Sequence, residues 1–213
     1  MTVPESSREA AAFRTVAARR LFLDVELCRN ERLRLKAIKS LVSGLPRSKK
    51  DICKLLLTSP HRYSPEVHFS VFCCLDSSLP PGLLRQLLPA VEEYLKNVQT
   101  QAAYAAWMAG DMLAHWADSD GVPEAVNVLA RSATGARYVA GHRGALHGIE
   151  HVLDFCPVSQ GKELLDMVAQ LMREDRSREL RDYARRMLDS GGCWSKEDPV
   201  LRRYAGRLLD RHG

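Results

Sequence analysis

The chain lacks most of the marks by which an activity is read from sequence. No run of eighteen or more apolar residues occurs in its 213 residues, so no membrane-spanning helix is expected. The opening stretch MTVPESSREAAAFRTVAARR has no uninterrupted apolar core, and no signal peptide is expected. The six cysteines form no C-x-x-C, which argues against a redox pair or zinc knuckle; reduced, mostly buried thiols in a cytoplasmic protein are expected. With 13 glycines and 10 prolines the chain is no low-complexity linker. Alternating β-branched runs with hairpin turns are almost absent, which excludes an all-β fold. No Walker A, G-x-S-x-G or G-x-G-x-x-G motif occurs, and Asp118-Ser119-Asp120-Gly121 is too short for an EF-hand loop.

What remains is helical and unevenly charged. Hydrophobic content of 46% and charged content of 27% suit a soluble globular protein. Net charge is +5, but residues 1–62 carry 14 Lys/Arg against 6 Asp/Glu, and residues 63–172 carry 6 against 12. A basic N-terminal third can face phosphate or an acidic protein; an ordinary solvated face explains it equally well. Helical periodicity runs through TQAAYAAWMAGDMLAHWAD, PEAVNVLARSAT, GHRGALHGIEHVLDF, GKELLDMVAQLMRED and SRELRDYARRMLDSGG. Pro65 after Ser64 predicts one helix start, and Pro89 sits inside PPGLLRQLLPAVEEYLKN as a potential kink.

The helices repeat a phrase. A small residue is followed four places later by a large apolar one at Ala37/Leu41, Val71/Leu75, Ala109/Leu113, Gly148/Val152 and Ala184/Leu188. The large residues stand 34, 38, 39 and 36 apart, and Ala205/Leu209 repeats the phrase near the end. Both positions share a helix face; the small one admits a neighbour and the large one fills the layer between them. In this respect the chain resembles the HEAT-repeat family over about residues 31–211. The resemblance implies a single all-α domain: a right-handed α-solenoid of about five helical hairpins, an N-terminal capping helix over 1–30 and a terminal capping helix. Solenoids of this kind mostly bind extended partners. The Trp, Gly-Tyr and Pro pattern of tetratricopeptide repeats and the Thr-Pro-Leu-His of ankyrin repeats are missing.

Two constellations carry potential chemistry. His147-Gly-Ile-Glu150-His151 is H-x-x-E-H, in which two histidines one turn apart can hold a metal and a glutamate can act as base. It resembles the inverzincin metalloprotease signature. That family's third ligand is a glutamate further downstream than the 62 residues after His151, its fold is mixed α/β, and Gly148 and Val152 already have packing roles. The second constellation is Trp107, Asp111, Trp116 and Asp118, with Trp107 and Asp111 on one face. It is similar to the tryptophan and carboxylate groups of alkylpurine DNA glycosylases of the AlkD type, also HEAT-like. There, aromatic faces suit a cationic base and a carboxylate stabilises an oxocarbenium-like sugar. Basic residues of the N-terminal third and arginines 173–186 would then contact phosphates.

The leading expectation is a cytoplasmic, non-catalytic protein-interaction module (scaffold, adaptor or inhibitor) without a cofactor, binding through a concave face. Expected partner contacts are Arg34, Lys39, Trp107, Asp111, Arg143, His147, Arg181 and Arg185. The alternatives are a DNA glycosylase using Trp107 and Asp111, and a metal-dependent enzyme at His147 and His151.

Overall fold

The structure is a computed structural model that describes residues 65–75, 80–189 and 199–212. Its regular elements are all helical, with no strand among the described residues. In chain order they are α1 (Pro65–Leu75), α2 (Pro81–Asn97), a 3-10 turn (Thr100–Ala102), α3 (Ala103–Asp118), α4 (Glu124–Gly135), α5 (Val139–Val152), α6 (Val158–Glu174), α7 (Arg178–Leu188) and α8 (Pro199–His212). The expected N-terminal cap, the first hairpin with Ala37/Leu41, and Arg34 and Lys39 lie outside the described residues.

Local chemistry sets the helix ends. Pro65 and Pro81 open α1 and α2, where a missing N–H costs nothing. Ser177 caps α7 by accepting from the Leu180 N–H at 3.4 Å, and Asp175 Oδ1 accepts from the Ser177 N–H at 2.7 Å. Between α3 and α4 the chain turns at Gly121, whose φ of 65° suits glycine, and buried Val122 anchors the turn. Pro89 lies within one continuous α2. Along α6 the residues Leu164, Leu165, Val168, Ala169 and Met172 form one buried stripe.

The helices pack in a regular order. α1 contacts α3, α3 contacts α5, and α5 contacts α7. The alternate helices do the same: α2 with α4, α4 with α6, α6 with α8. Chain neighbours α4/α5 and α6/α7 pair as hairpins. The repeated small-large pairs lie in the layer between: Val71, Leu75, Ala109, Leu113, Val152, Ala184 and Leu188 are all buried. Helix α8 carries the phrase as Ala205/Leu209 and packs on both α6 and α7, with Ala205 buried and Leu209 half-exposed. Arg131 of α4 ties the rows of even-numbered helices laterally, with Nε 3.0 Å from Glu92 Oε1 and Nη2 2.7 Å from Oε2 on α2.

The tightest crossing is α3 over α5. A Cβ on Gly144 would overlap the backbone oxygen of Ala106, and one on Gly110 would overlap that of Gly144. One on Gly148 would stand 2.5 Å from the Gly110 oxygen and 2.6 Å from Leu129 Cδ2. The two backbones therefore touch, which only glycine permits. Gly141-His-Arg-Gly144 lies inside α5, which begins at Val139 and ends at Val152, and both of its glycines serve helix contact. Of the cysteines expected to be mostly buried, Cys73 is exposed and Cys156 half-buried, while the burial of the other four lies outside what is described.

Candidate functional site

The α3–α5 contact assembles the polar cluster. Gly110 immediately precedes Asp111, and Gly148 immediately follows His147, so closing the glycine contact brings these side chains together. Asp111 Oδ1 lies 3.0 Å from His147 Nε2 and 3.2 Å from His151 Nε2. The histidines are one turn apart on α5, so both reach the same carboxylate. Asp111 Oδ1 is itself shut off from solvent, and no N–H among the described residues reaches it in hydrogen-bond geometry. The two N···O separations are those of hydrogen bonds; the angles are not.

Further groups hold the histidines. His147 Nδ1 faces Glu150 Oε2 at 3.4 Å, and Tyr183 of α7 donates its O–H to the same oxygen at 3.0 Å. The Trp107 ring stacks on His147, with centroids 5.0 Å apart and planes 23° from parallel, while His151 meets His147 edge-on at 4.9 Å. Arg143 lies 5.7 Å from the ring centres of both Trp107 and Tyr183 and pairs with Glu179 of α7. Beside the cluster is an open groove of about 370 Å³ lined by Asp111, Ala114, His115, Asp118, His151, Asp154 and Phe155.

The charges respond to this arrangement. Asp111 sits close to His147, and Glu150 adds to it, so His147 is pushed up to about 9 against the pull of burial. His151 is raised too, chiefly by Asp111. Burial alone would raise Asp111, but the two imidazoles outweigh it and hold the carboxyl well below its ordinary range. Tyr183 is raised by burial first and by the Glu150 charge second. Without a ligand the cluster is thus a carboxylate held between two imidazoles that favour the protonated form.

Four of the residues singled out from the sequence meet here: Trp107, Asp111, Arg143 and His147. His151 joins them from the H-x-x-E-H motif. Arg181 does not, because its Nη1 donates to the backbone oxygen of Asp175 at 2.7 Å and of Arg176 at 3.3 Å, bracing the start of its own helix. Arg185 is exposed on α7. Trp116 is fully buried in the core, away from any site role. The third group beside the histidines is Asp111 of the preceding hairpin rather than a downstream glutamate. Glu150 contacts His147 Nδ1, the ring nitrogen turned away from Asp111. Tyr183, Glu179 and Tyr104 were not anticipated; the repeat spacing that places α7 beside α5 was the one signal for the first two. No helix among the described residues is long and apolar enough to cross a membrane. Comparison of the chain with family models, curated proteins and solved structures finds no match.

Proposed function

We propose that this chain is a non-catalytic interaction module of the α-solenoid type, resembling HEAT repeats, which binds a protein partner across the row α1–α3–α5–α7. The contact order of the two rows of helices supports the solenoid reading. One observation carries the function: an aromatic and charged band runs across all four helices of that row. Phe69 of α1 stacks on Tyr104 of α3 at 4.7 Å, Trp107 stacks on His147 of α5, and Arg143 connects Trp107 to Tyr183 of α7. Tyr104 is 65% exposed, far more than a core aromatic. Tyr, Trp and Arg are the residue types that dominate binding energy at protein interfaces.

The same band disfavours the nucleic-acid alternative. Asp111, Glu150 and Glu179 interrupt it with negative charge, Arg143 is engaged by Glu179, and the Trp107 ring is stacked on His147 rather than open to a base. A photo-crosslinking residue placed at Tyr104 and, separately, at exposed Glu163 of α6 tests the proposal in a lysate of the source cells. One discrete protein adduct from position 104, absent from position 163 and abolished by Trp107→Ala, is the expected result. Equal crosslinking from both positions rejects it. So does tight, salt-dependent binding of an abasic-site duplex over an undamaged one, which would restore the glycosylase reading.

A further inference from the structure

We propose that Asp111, His147 and His151 form a binding site for one divalent transition-metal cation of the zinc type, with its remaining coordination opening onto the groove beside them. The proposal goes beyond partner binding and does not depend on it. Three observations carry it.

The first is ligand spacing. The three donor atoms lie within 4.8 Å of one another, and Asp111 Oδ1 is 3.0 and 3.2 Å from the two Nε2 atoms. Metal–ligand bonds of about 2.0–2.1 Å at tetrahedral angles put donor atoms roughly 3.3 Å apart. A cation can therefore enter with small side-chain adjustments. The second is orientation. Asp111 Oδ1 is buried without a well-aimed N–H donor, although two imidazole nitrogens lie beside it. Donor atoms that crowd together without pointing N–H groups at one another suit a shared cation better than a hydrogen bond.

The third is the outer shell. A metal-binding histidine usually donates its other ring N–H to a carboxylate, which fixes the tautomer and leaves the second nitrogen for the metal. His147 Nδ1 faces Glu150 Oε2 at 3.4 Å, where a proton on Nδ1 would serve this purpose, and Glu150 is in turn fixed by the Tyr183 hydroxyl. Trp107 holds the ring plane. Two imidazoles and one carboxylate are nitrogen-rich, which selects zinc-like cations over magnesium or calcium. The groove of about 370 Å³, lined also by His115, Asp118 and Asp154, leaves room for water or a donor from a bound molecule.

The test is titration of the chelator-treated full chain with Zn²⁺, and then with Co²⁺, in reducing buffer. Binding is read by competition with a chromophoric chelator, and coordination by the visible absorption of bound Co²⁺. One tight site is expected, with Mg²⁺ failing to compete. Asp111→Asn and His151→Gln should each abolish it while leaving helical circular dichroism unchanged. Glu150→Gln, an outer-shell positioning change, should weaken binding about 10- to 100-fold without removing the cobalt spectrum. The proposal is overturned if the chain binds no Zn²⁺ at micromolar concentration. It is equally overturned if Asp111→Asn and His151→Gln bind as tightly as the unaltered chain, since the metal would then sit elsewhere, on the cysteines for instance. Should Asp111→Asn fail to fold, His151→Gln decides alone, because His151 is exposed and outside the core.

Discussion

Adding one methyl group to Gly144 should destabilise this protein, whereas adding one to Gly206 should stabilise it. Both residues lie inside helices, where replacing glycine by alanine gains about 1 kcal/mol from backbone entropy and propensity. Gly206 on α8 meets no atom of the described residues within 4 Å, so the gain should appear nearly whole, at about 0.5–1 kcal/mol. At Gly144 the new Cβ meets the Ala106 backbone, with its carbonyl carbon at 2.6 Å and its Cβ at 3.0 Å. A backbone carbonyl cannot rotate aside as a side chain can, so α3 and α5 must move apart. Overpacking of this kind costs about 1–3 kcal/mol, and rigid neighbours place it at the upper end. Net of the helix gain, Gly144→Ala should lose about 2 kcal/mol. With a urea dependence of about 3 kcal/mol per molar, the unfolding midpoint should fall by about 0.7 M in Gly144→Ala and rise by about 0.2–0.3 M in Gly206→Ala. Circular dichroism at 222 nm over a urea series reads both. If the two variants shift the midpoint in the same direction by similar amounts, the direct backbone contact between α3 and α5 does not exist.

Other consequences follow from the charged groups. In metal-free protein the His147 ring should titrate by NMR near pH 9, and Asp111→Asn should return it toward 6.5. Because folding raises the His147 value, its pairing stabilises the protein fully below about pH 6.5, and the gain fades as pH rises through about 9. Asp111 is depressed instead, so its share is present above about pH 3.8 and is lost in stronger acid. Urea stability of the unaltered chain should therefore exceed that of Asp111→Asn most between these limits, and a gap that stays constant from pH 5 to 10 contradicts the pairing. Arg131→Ala should cost about 1 kcal/mol near neutral pH, since the pair is bidentate but Arg131 is largely exposed. The Arg131 hydrogen bonds, helped by Lys96, hold Glu92 at about 2, so this contribution should disappear as pH falls through that value, and acid unfolding should begin at higher pH in the variant. Tyr183→Phe should cost about 1 kcal/mol in thermal or urea unfolding, the typical net worth of one hydrogen bond, here the one to Glu150. An unchanged midpoint would show that water replaces the hydroxyl.

Helix identity was legible because it depends on local pattern. Pro65, the alanine-rich stretch of α3 and the stripe of α6 each announce a helix within a few residues. The small-large phrase was legible for the same reason, and each of its described members except Leu209 is buried. The same phrase marked Ala205/Leu209, which fall in α8, with Ala205 buried and Leu209 half-exposed. The site was half legible. His147 and His151 are neighbours on one helix, so their joint action is written in a spacing of four. Asp111 lies 36 residues before His147, and its presence depends on which helix packs beside α5 and how closely. Composition could not supply that distance, which is why Asp111 was paired chemically with Trp107 and shared with His147 only a place among the expected partner contacts.

The glycines that set the distance also set the chemistry. With alanine at positions 110, 144 and 148 the helices would stand further apart, and carboxylate and imidazoles would each be solvated separately. At the observed separation, Asp111 Oδ1 is withdrawn from water although its side chain as a whole remains 39% exposed. Withdrawing a carboxylate oxygen without a well-aimed donor is costly unless positive charge compensates it. Two sources of that charge are available at this position, protons on His147 and His151 or a divalent cation between them. They exclude each other, because a metal needs the imidazole nitrogens free of protons. Zinc uptake should therefore release protons, and apparent affinity should weaken as the medium is made more acidic. Calorimetric titration in two buffers of different ionisation enthalpy measures the proton count directly. A count near zero at pH 7 would mean that the histidines are already neutral, and the reading of the metal-free cluster as a protonated ion triad would have to be abandoned.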